Sequence, residues 1–162
     1  MTLRAAPRTI SLKGRAIRLL SQREHSRVEL AQKLAPHAES DSQLESVLDG
    51  LEQSGYLSQQ RFAQSLAHRR SARFGLRRIE HELQAHRLDV TVSAPILQDL
   101  KDSERERALR AWSKRFGEHA SDALERARQH RFLAQRGFTS EAIAWVLKNG
   151  HTSDGESDPV TD

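Results

Sequence analysis

Residues 58–86 read SQQRFAQSLAHRRSARFGLRRIEHELQAH, which is the pattern of two short amphipathic helices. Ser58 is placed to cap the first helix, and Gly75 separates it from the second. The apolar residues recur every three or four positions, which puts them on one face of each helix. They are Phe62, Ala63, Leu66, Leu76, Ile79 and Leu83. The stretch therefore predicts two successive helices, each with one buried face.

The apolar pattern of this stretch recurs before and after it, at a period of 49 to 50 residues. The positions in step are Ile17, Leu66 and Phe116; Leu34, Leu83 and Leu133; and the pairs Val47-Leu48, Ile96-Leu97 and Val146-Leu147. Because leucine is common, chance recurrence is the alternative explanation. A repeated packing unit explains all three sets together, since stacked units bury a continuous core. The sequence thus predicts an all-α fold of three tandem three-helix repeats that form an elongated, curved module.

The composition of the chain and its helix-capping and helix-breaking residues divide it into five predicted segments. They are a flexible N-terminus (1–11), three helical repeats (12–56, 57–101 and 102–150) and a disordered acidic tail (151–162). Three Ser-x-x-Glu patterns resemble capping boxes that open helices, and they are Ser26 to Glu29, Ser42 to Glu45 and Ser103 to Glu106. The last helix of the second repeat is expected to hold Ile96, Leu97 and Leu100, with Pro95 near its first turn. The preceding Val90-Thr91-Val92 has some strand propensity, so this helix start is the boundary that the sequence defines least.

Most enzyme classes lack their usual signatures in this chain. It contains no cysteine, which excludes disulfides, thiolate nucleophiles and zinc-thiolate sites. Glycine-rich phosphate loops and the G-x-S-x-G motif are also absent from the sequence. His81 and His86 are five residues apart, so on a helix their imidazoles diverge by about 140°. We therefore predict no catalytic residues, no cofactor and no metal site. Without a long apolar segment, the predicted location is the cytoplasm and no membrane contact is expected.

The basic residues are the candidates for function. Four of the 22 acidic residues, but none of the 26 Lys and Arg residues, lie in 151–162, so the rest of the chain is the more basic part. One cluster spans ten positions without an acid, and its members are Arg69, Arg70, Arg73, Arg77 and Arg78. It straddles the junction of two predicted helices, where exposed amides and arginines together would bind an anion. A solvated basic loop, partly paired by Glu80 and Glu82, is the alternative. Arg128 and Arg131 add a second candidate surface, since residues three apart share a helix face.

Over about residues 12–148 the sequence resembles the RecX family, which regulates the RecA recombinase. The residues that carry the likeness are Arg15-Ala16, Leu19-Leu20-Ser21, Arg23-Glu24-His25-Ser26, Glu29-Leu30, Gly55-Tyr56-Leu57, Arg61-Phe62-Ala63, Arg70, Gly75, Arg78-Ile79 and Glu82-Leu83. Two departures are Ser58-Gln59-Gln60, where the family usually has acids, and His86-Arg87-Leu88, where it usually has Lys-Gly before an aliphatic residue. Neither departure touches the arginine cluster.

The resemblance implies a fold and a function. Members of the family consist of three tandem three-helix repeats, which agrees with the period described above. They are non-enzymatic inhibitors that bind RecA and the groove of its filament on DNA. They suppress ATP hydrolysis, strand exchange and repressor cleavage, and they limit filament growth. The implied setting is homologous recombination, DNA repair and the SOS response, with RecA, its filament and single- or double-stranded DNA as partners of a monomer.

Two other functions are compatible with a basic helical chain. Residues 26–34 and 42–51 could form a helix-turn-helix DNA-binding unit, but its recognition helix would carry Glu45, Asp49 and Glu52 and no base, so phosphate would repel it. An RNA-binding helical adaptor is the other alternative, because the same basic residues would permit it.

Overall fold

The computed structural model describes residues 10–150, and this part of the chain contains α-helices, one short 3-10 helix and no strand. The helices are α1 (Leu12–Leu20), α2 (Arg27–Leu34), α3 (Asp41–Gln53), α4 (Gln59–Ser71), α5 (Leu76–Ala85), α6 (Val90–Asp102), α7 (Glu104–Arg115), α8 (Ala123–Gln135) and α9 (Ser140–Asn149). The 3-10 helix, Ala35–His37, follows α2. The all-α prediction is confirmed. The expected disordered tail lies outside the described residues, as does nearly all of the expected flexible N-terminus.

Three successive groups of three helices each surround a core of their own, and we call them repeat 1 (α1–α3), repeat 2 (α4–α6) and repeat 3 (α7–α9). Leu34, Leu83 and Leu133, which the period placed in step, are all buried. Another predicted set is less uniform, since Leu48 is buried whereas Leu97 only packs against its core from a half-buried position. The apolar period of the sequence therefore reflects equivalent core positions in three helical units.

The caps of two helices follow the predicted pattern. The Ser26 hydroxyl accepts a hydrogen bond from the Glu29 amide at 3.1 Å, and the Ser58 hydroxyl accepts one from the Arg61 amide at 3.2 Å. The Glu29 carboxylate, however, pairs with the Arg23 guanidinium. Each serine satisfies an amide that has no partner within its helix, as N-cap residues do.

Two other predicted caps are wrong. Ser40 rather than Ser42 caps α3, because its hydroxyl accepts from the Gln43 amide at 3.1 Å and the helix begins at Asp41. Ser103 makes no cap at the start of α7. Its hydroxyl donates instead to the carbonyl of Asp99 at 2.9 Å, and this single residue separates α6 from α7.

The start of α6 also differs from the prediction. The helix begins at Val90, so Pro95 lies inside it rather than near its first turn. Asp89 causes the earlier start, because its carboxylate accepts from the Thr91 amide at 2.8 Å. Tertiary packing of α6 and this cap outweigh both the strand propensity of Val90-Thr91-Val92 and the backbone hydrogen bond that proline cannot donate.

Repeats 2 and 3 are joined by their backbones. The Gly75 amide donates to the Arg136 carbonyl at 2.9 Å, and the Arg77 amide donates to the Gly137 carbonyl at 3.0 Å. A Cβ atom on Gly75 would lie 2.2 Å from the backbone nitrogen of Phe138, so only glycine allows this approach. Gly137 has a φ of +80°, which also favours glycine. This joint fixes the start of α5 against the turn between α8 and α9.

Repeats 1 and 2 meet at His86. His86 Nδ1 lies 2.7 Å from the Ser26 hydroxyl, and the His86 ring packs edge-on against Phe62 with centroids 4.6 Å apart. His25 is buried, with Nδ1 2.9 Å from the Arg23 carbonyl. The contact between Ser26 and His86 ties the start of α2 to the end of α5.

We expect His25 and His86 to make stability depend on pH. Burial lowers the pKa of His25 below its ordinary value of 6.5, although the hydrogen bond to the Arg23 carbonyl acts in the opposite direction. Burial also lowers the pKa of His86. Because the unfolded chain then binds more protons, stability falls as the pH drops below about 6.5. The melting temperature should decrease by a few degrees between about pH 7 and about pH 5. The variant His25→Gln/His86→Gln should lose most of this slope, whereas the exposed control His81→Gln should keep it; equal slopes in all three proteins would contradict the assignment.

Candidate anion-binding groove between repeats 2 and 3

A basic groove of about 340 Å³ lies where the end of α4 faces the ends of α7 and α8. Its lining residues, which define the name basic groove below, are Ala72, Arg73, Ala111, Lys114, Arg115, Phe132 and Arg136. Four of the seven are cations and none is acidic. The groove therefore concentrates positive charge from two repeats in one concave place, which is what an anionic partner requires.

Two phenylalanines support the guanidinium groups of the groove. The Arg136 guanidinium lies 3.7 Å above the centre of the Phe132 ring, and its Nη1 donates to the Phe132 carbonyl at 3.3 Å. Arg115 lies 5.6 Å from the centre of the Phe116 ring, and the two rings meet edge to face at 5.2 Å. Stacking on aromatic rings leaves the outward N–H groups of an arginine available for an anion.

The cations of the groove repel one another. Burial lowers the pKa of Arg136 below its ordinary value, and the charges of Arg73 and Arg115 lower it further. No carboxylate among the lining residues offsets this repulsion. A bound phosphate or carboxylate would relieve it, so an anion gains more here than at an isolated surface arginine.

The sequence matches known proteins over most of its length. Residues 102–147 match the family model described as the third three-helix domain of RecX. Over 139 residues the chain is 48% identical to the regulatory protein RecX of Leptothrix cholodnii, a match that covers 86% of this chain and 88% of that protein. It is 45% identical over 145 residues to the regulatory protein RecX of Ralstonia nicotianae, covering 89% of this chain and 91% of the relative.

The chain belongs to the RecX family. The crystal structure of RecX from Lactobacillus salivarius has a similar fold, with a TM-score of 0.71 over 85% of this chain and 92% of that chain. Sequence identity with it is only 17%, so this likeness concerns the fold alone. The three tandem three-helix repeats of the present chain are thus those of a RecX protein, and the family resemblance inferred from the sequence is confirmed.

The structure divides the predicted arginine cluster of this RecX protein. Arg73 lines the basic groove. Arg70 Nε donates to the Glu82 carboxylate at 2.7 Å, and Arg78 Nε lies 3.7 Å from the same carboxylate. Glu82 therefore neutralises part of the cluster. Arg69 donates to the Ser65 carbonyl of its own helix at 3.2 Å, and its side chain is exposed.

Phe74 lies at the centre of the predicted cluster. The Arg78 guanidinium is 4.0 Å from the centre of its ring, and Arg70 and Arg73 are each 5.7 Å from it. Arg77 is exposed beside them, with its amide committed to the joint with repeat 3. The cluster thus continues the cationic surface from the basic groove along the turn between α4 and α5.

The second predicted surface is only partly related to the groove. Arg128 and Arg131 are both exposed on α8. Arg128 lies four residues before Phe132, so it shares a helix face with that groove residue, one turn away. Arg131 does not line the groove. Arg128 therefore extends the basic groove, whereas Arg131 is separate from it.

Three of the four cations in the groove were not among the predicted site residues. Lys114, Arg115 and Arg136 come from repeat 3, about 40 to 60 positions after Arg73 in the sequence. No local motif links them, because the glycine joint that brings the repeats together depends on backbone contacts between distant turns. Their one sequence signal is an excess of cations near the ends of two predicted helices.

Ser26 and His86 resemble a catalytic serine–histidine pair in their spacing. Ser26 Oγ lies 2.7 Å from His86 Nδ1, a distance suited to a nucleophile and its base. Ser26 is fully buried, however, and its hydroxyl caps α2. We therefore assign the pair a structural role. Among residues 10–150 no group of His, Asp and Glu side chains is arranged to hold a metal ion, and no helix in that range is long and apolar enough to cross a bilayer.

Proposed function

We propose that this RecX-family protein is a non-enzymatic regulator that binds RecA and its nucleoprotein filament. In this proposal it inhibits ATP hydrolysis, strand exchange and the coprotease activity of the filament, and it limits filament growth. Relatives at 36% to 49% identity carry the name regulatory protein RecX, which supports a regulatory role. The work of such a regulator takes place in the cytoplasm, where a monomer would contact RecA and either single- or double-stranded DNA.

The observation that carries the proposal is the basic groove. A filament on DNA presents phosphates at regular intervals along one axis, and repeated cationic contacts bind such a polyanion strongly. The groove brings Arg73, Lys114 and Arg115 together without an acid, and the turn between α4 and α5 continues the positive surface. Since this surface is formed by two repeats, it suits an extended partner better than a small molecule.

In repeat 1, helix α3 has an acidic face, which argues against recognition of DNA by this helix. Glu45, Asp49 and Glu52 all bond to the guanidinium of Arg27, at 2.5 to 2.7 Å. The face that a helix-turn-helix protein would insert into the major groove is therefore acidic and already internally paired. In this proposal nucleic acid is therefore bound by the basic groove of repeats 2 and 3 rather than by α3.

The test is the single-stranded-DNA-dependent ATPase activity of RecA, titrated with this protein at a fixed physiological salt concentration. We expect inhibition at well below one molecule per RecA, because a regulator that acts on the filament affects many protomers. An unchanged rate would contradict the proposal. So would inhibition that disappears when more DNA is added, since that result would make bare DNA the target.

A further inference from the structure

A second concave surface lies in repeat 1, between α1 and the end of α2. We call it the repeat-1 cleft; its volume is about 370 Å³ and its lining is mainly apolar. Leu34 forms the buried floor, and Leu19 and Ile10 form walls, with Ile10 48% exposed. The cleft is on a different repeat from the basic groove, so it forms a separate surface.

The rim of the cleft is cationic. Arg15, Arg18, Lys33 and His37 surround the apolar walls together with Gln22, and no lining residue is acidic. Lys33 lies 3.4 Å from Glu29, so its charge is partly balanced. Arg15 and Arg18 pair with no carboxylate in residues 10–150, although Arg15 is half-buried. Two unbalanced guanidinium groups beside an apolar cleft call for a partner that carries both apolar groups and carboxylates.

Segments of this chain suit the cleft poorly. Residues 1–9 contain Arg4 and Arg8 and no acid, so the rim would repel them. Residues 151–162 are acidic, but Val160 is their single large apolar residue, which leaves most of the apolar wall uncovered. In a second copy, Glu45, Asp49 and Glu52 of α3 are already bonded to Arg27. Charge complementarity and the apolar wall together therefore favour a different protein.

We propose that the repeat-1 cleft binds an acidic amphipathic peptide segment of a partner protein. Leu- or Phe-type side chains of that segment fill the cleft against Ile10, Leu19 and Leu34. Its Asp or Glu side chains accept charge-assisted hydrogen bonds from Arg15 and Arg18. The recognition mode is that of a helix in a groove, with apolar anchors on one face and charges beside them.

The experiment measures binding of a short fluorescein-labelled peptide, with Leu and Phe on one helical face and Glu and Asp on the other, by fluorescence anisotropy. We expect saturable binding to the full chain. Arg15→Glu/Arg18→Glu should weaken it about 100-fold, because each charge-assisted contact is worth about tenfold in affinity. Ile10→Asp should weaken it as well. Lys13→Glu is the matched control, since Lys13 is exposed on the same helix but does not line the cleft, and it should bind as the parent does.

Each other result overturns the proposal. Absence of binding, or an equal loss with Lys13→Glu, would show that the cleft recognises no such peptide. Equal binding of a peptide with Ala in place of Leu and Phe would mean that charge alone acts. If the peptide binds only after residues 151–162 are removed, the tail is the occupant of the cleft. If the protein self-associates and Arg15→Glu/Arg18→Glu abolishes this, the occupant is a second copy. If the protein prefers anionic vesicles to the peptide, the cleft binds a membrane surface. The assay contains neither RecA nor DNA, so its failure would leave the proposed function untouched.

Discussion

Replacing Glu104 by alanine is expected to lower the free energy of unfolding by about 4 kcal/mol, as when one partner of a buried charged network is removed. Glu104 is only 3% exposed. One carboxylate oxygen accepts from the amides of Leu76 at 2.9 Å and Thr139 at 3.1 Å, and the other accepts from the Thr139 hydroxyl at 2.7 Å. A single side chain thus satisfies the starts of α5 and α9, which belong to different repeats. Alanine would leave three half-buried donors without their acceptor.

Glu106→Ala is the matched control for this prediction. Glu106 lies two residues further along the same helix, and its exposed carboxylate pairs with Arg110 at 3.0 Å. Its loss should change stability by less than about 0.5 kcal/mol. Glu104→Gln should be intermediate, since an amide oxygen still accepts from backbone amides but the negative charge is gone. Urea unfolding followed by circular dichroism measures all three variants. Equal losses for Glu104→Ala and Glu106→Ala would show that Glu104 does not hold the two helix starts.

Arg107 has the complementary role at the same joint. It is 6% exposed, and it donates to the carbonyls of Leu100 at 2.7 Å, Phe74 at 2.8 Å and Ser71 at 3.3 Å. Burial lowers its pKa, while the charge of Glu104 opposes that effect. A carboxylate at helix starts and a guanidinium at helix ends both complement the helix dipoles. Through these two side chains, the first turn of α7 connects repeat 2 to repeat 3.

The helices and the core positions within each repeat could be predicted because they depend on local apolar spacing. Apolar spacing located the helices, and Leu34, Leu83 and Leu133 are core residues as their period indicated. The roles of Glu104 and Arg107 could not be predicted in this way. The sequence places Glu104 inside the predicted capping box from Ser103 to Glu106, and it shows Arg107 as one of several charges on the same helix. Only burial between two repeats distinguishes Glu104 and Arg107 from Glu106 and other exposed charges.

The candidate site was predictable to a lesser extent than the fold. Arg73 was identified because it belongs to a dense local cluster. Lys114, Arg115 and Arg136 join it only because Gly75 and Gly137 allow two turns to approach within backbone hydrogen-bonding distance. The sequence also does not predict which arginines form ion pairs. Arg70 and Arg73 are equal candidates in the sequence, whereas in the structure Arg70 pairs with Glu82. Contacts between distant segments therefore decide which arginines are available.

Reversing the charge of the basic groove is expected to abolish inhibition of RecA. In Arg73→Glu/Lys114→Glu/Arg115→Glu, three exposed cations become anions, and Arg136 stays on its phenylalanine ring among carboxylates. The groove then repels phosphate instead of attracting it, and each lost phosphate contact also removes the release of counterions. The affinity for the filament on DNA should therefore fall by about a thousandfold at physiological salt. The fold should persist, because none of the three changed side chains belongs to a repeat core. The measurement is the DNA-dependent ATPase titration, with melting followed by circular dichroism.

The decisive comparison is with a control variant that has the same net charge as the groove variant but keeps the groove residues unchanged. Lys101→Glu/Arg126→Glu/Lys148→Glu changes three cations that are exposed elsewhere and do not line the groove, so it should inhibit RecA almost as well as the parent. Arg70→Glu/Arg78→Glu should lie between the two, because Glu82 already offsets part of their charge. If the groove variant and the control lose inhibition equally, overall charge rather than the groove attracts the filament. If the groove variant inhibits fully, RecA is contacted elsewhere, and repeat 1, with its separate cleft, becomes the surface to mutate next.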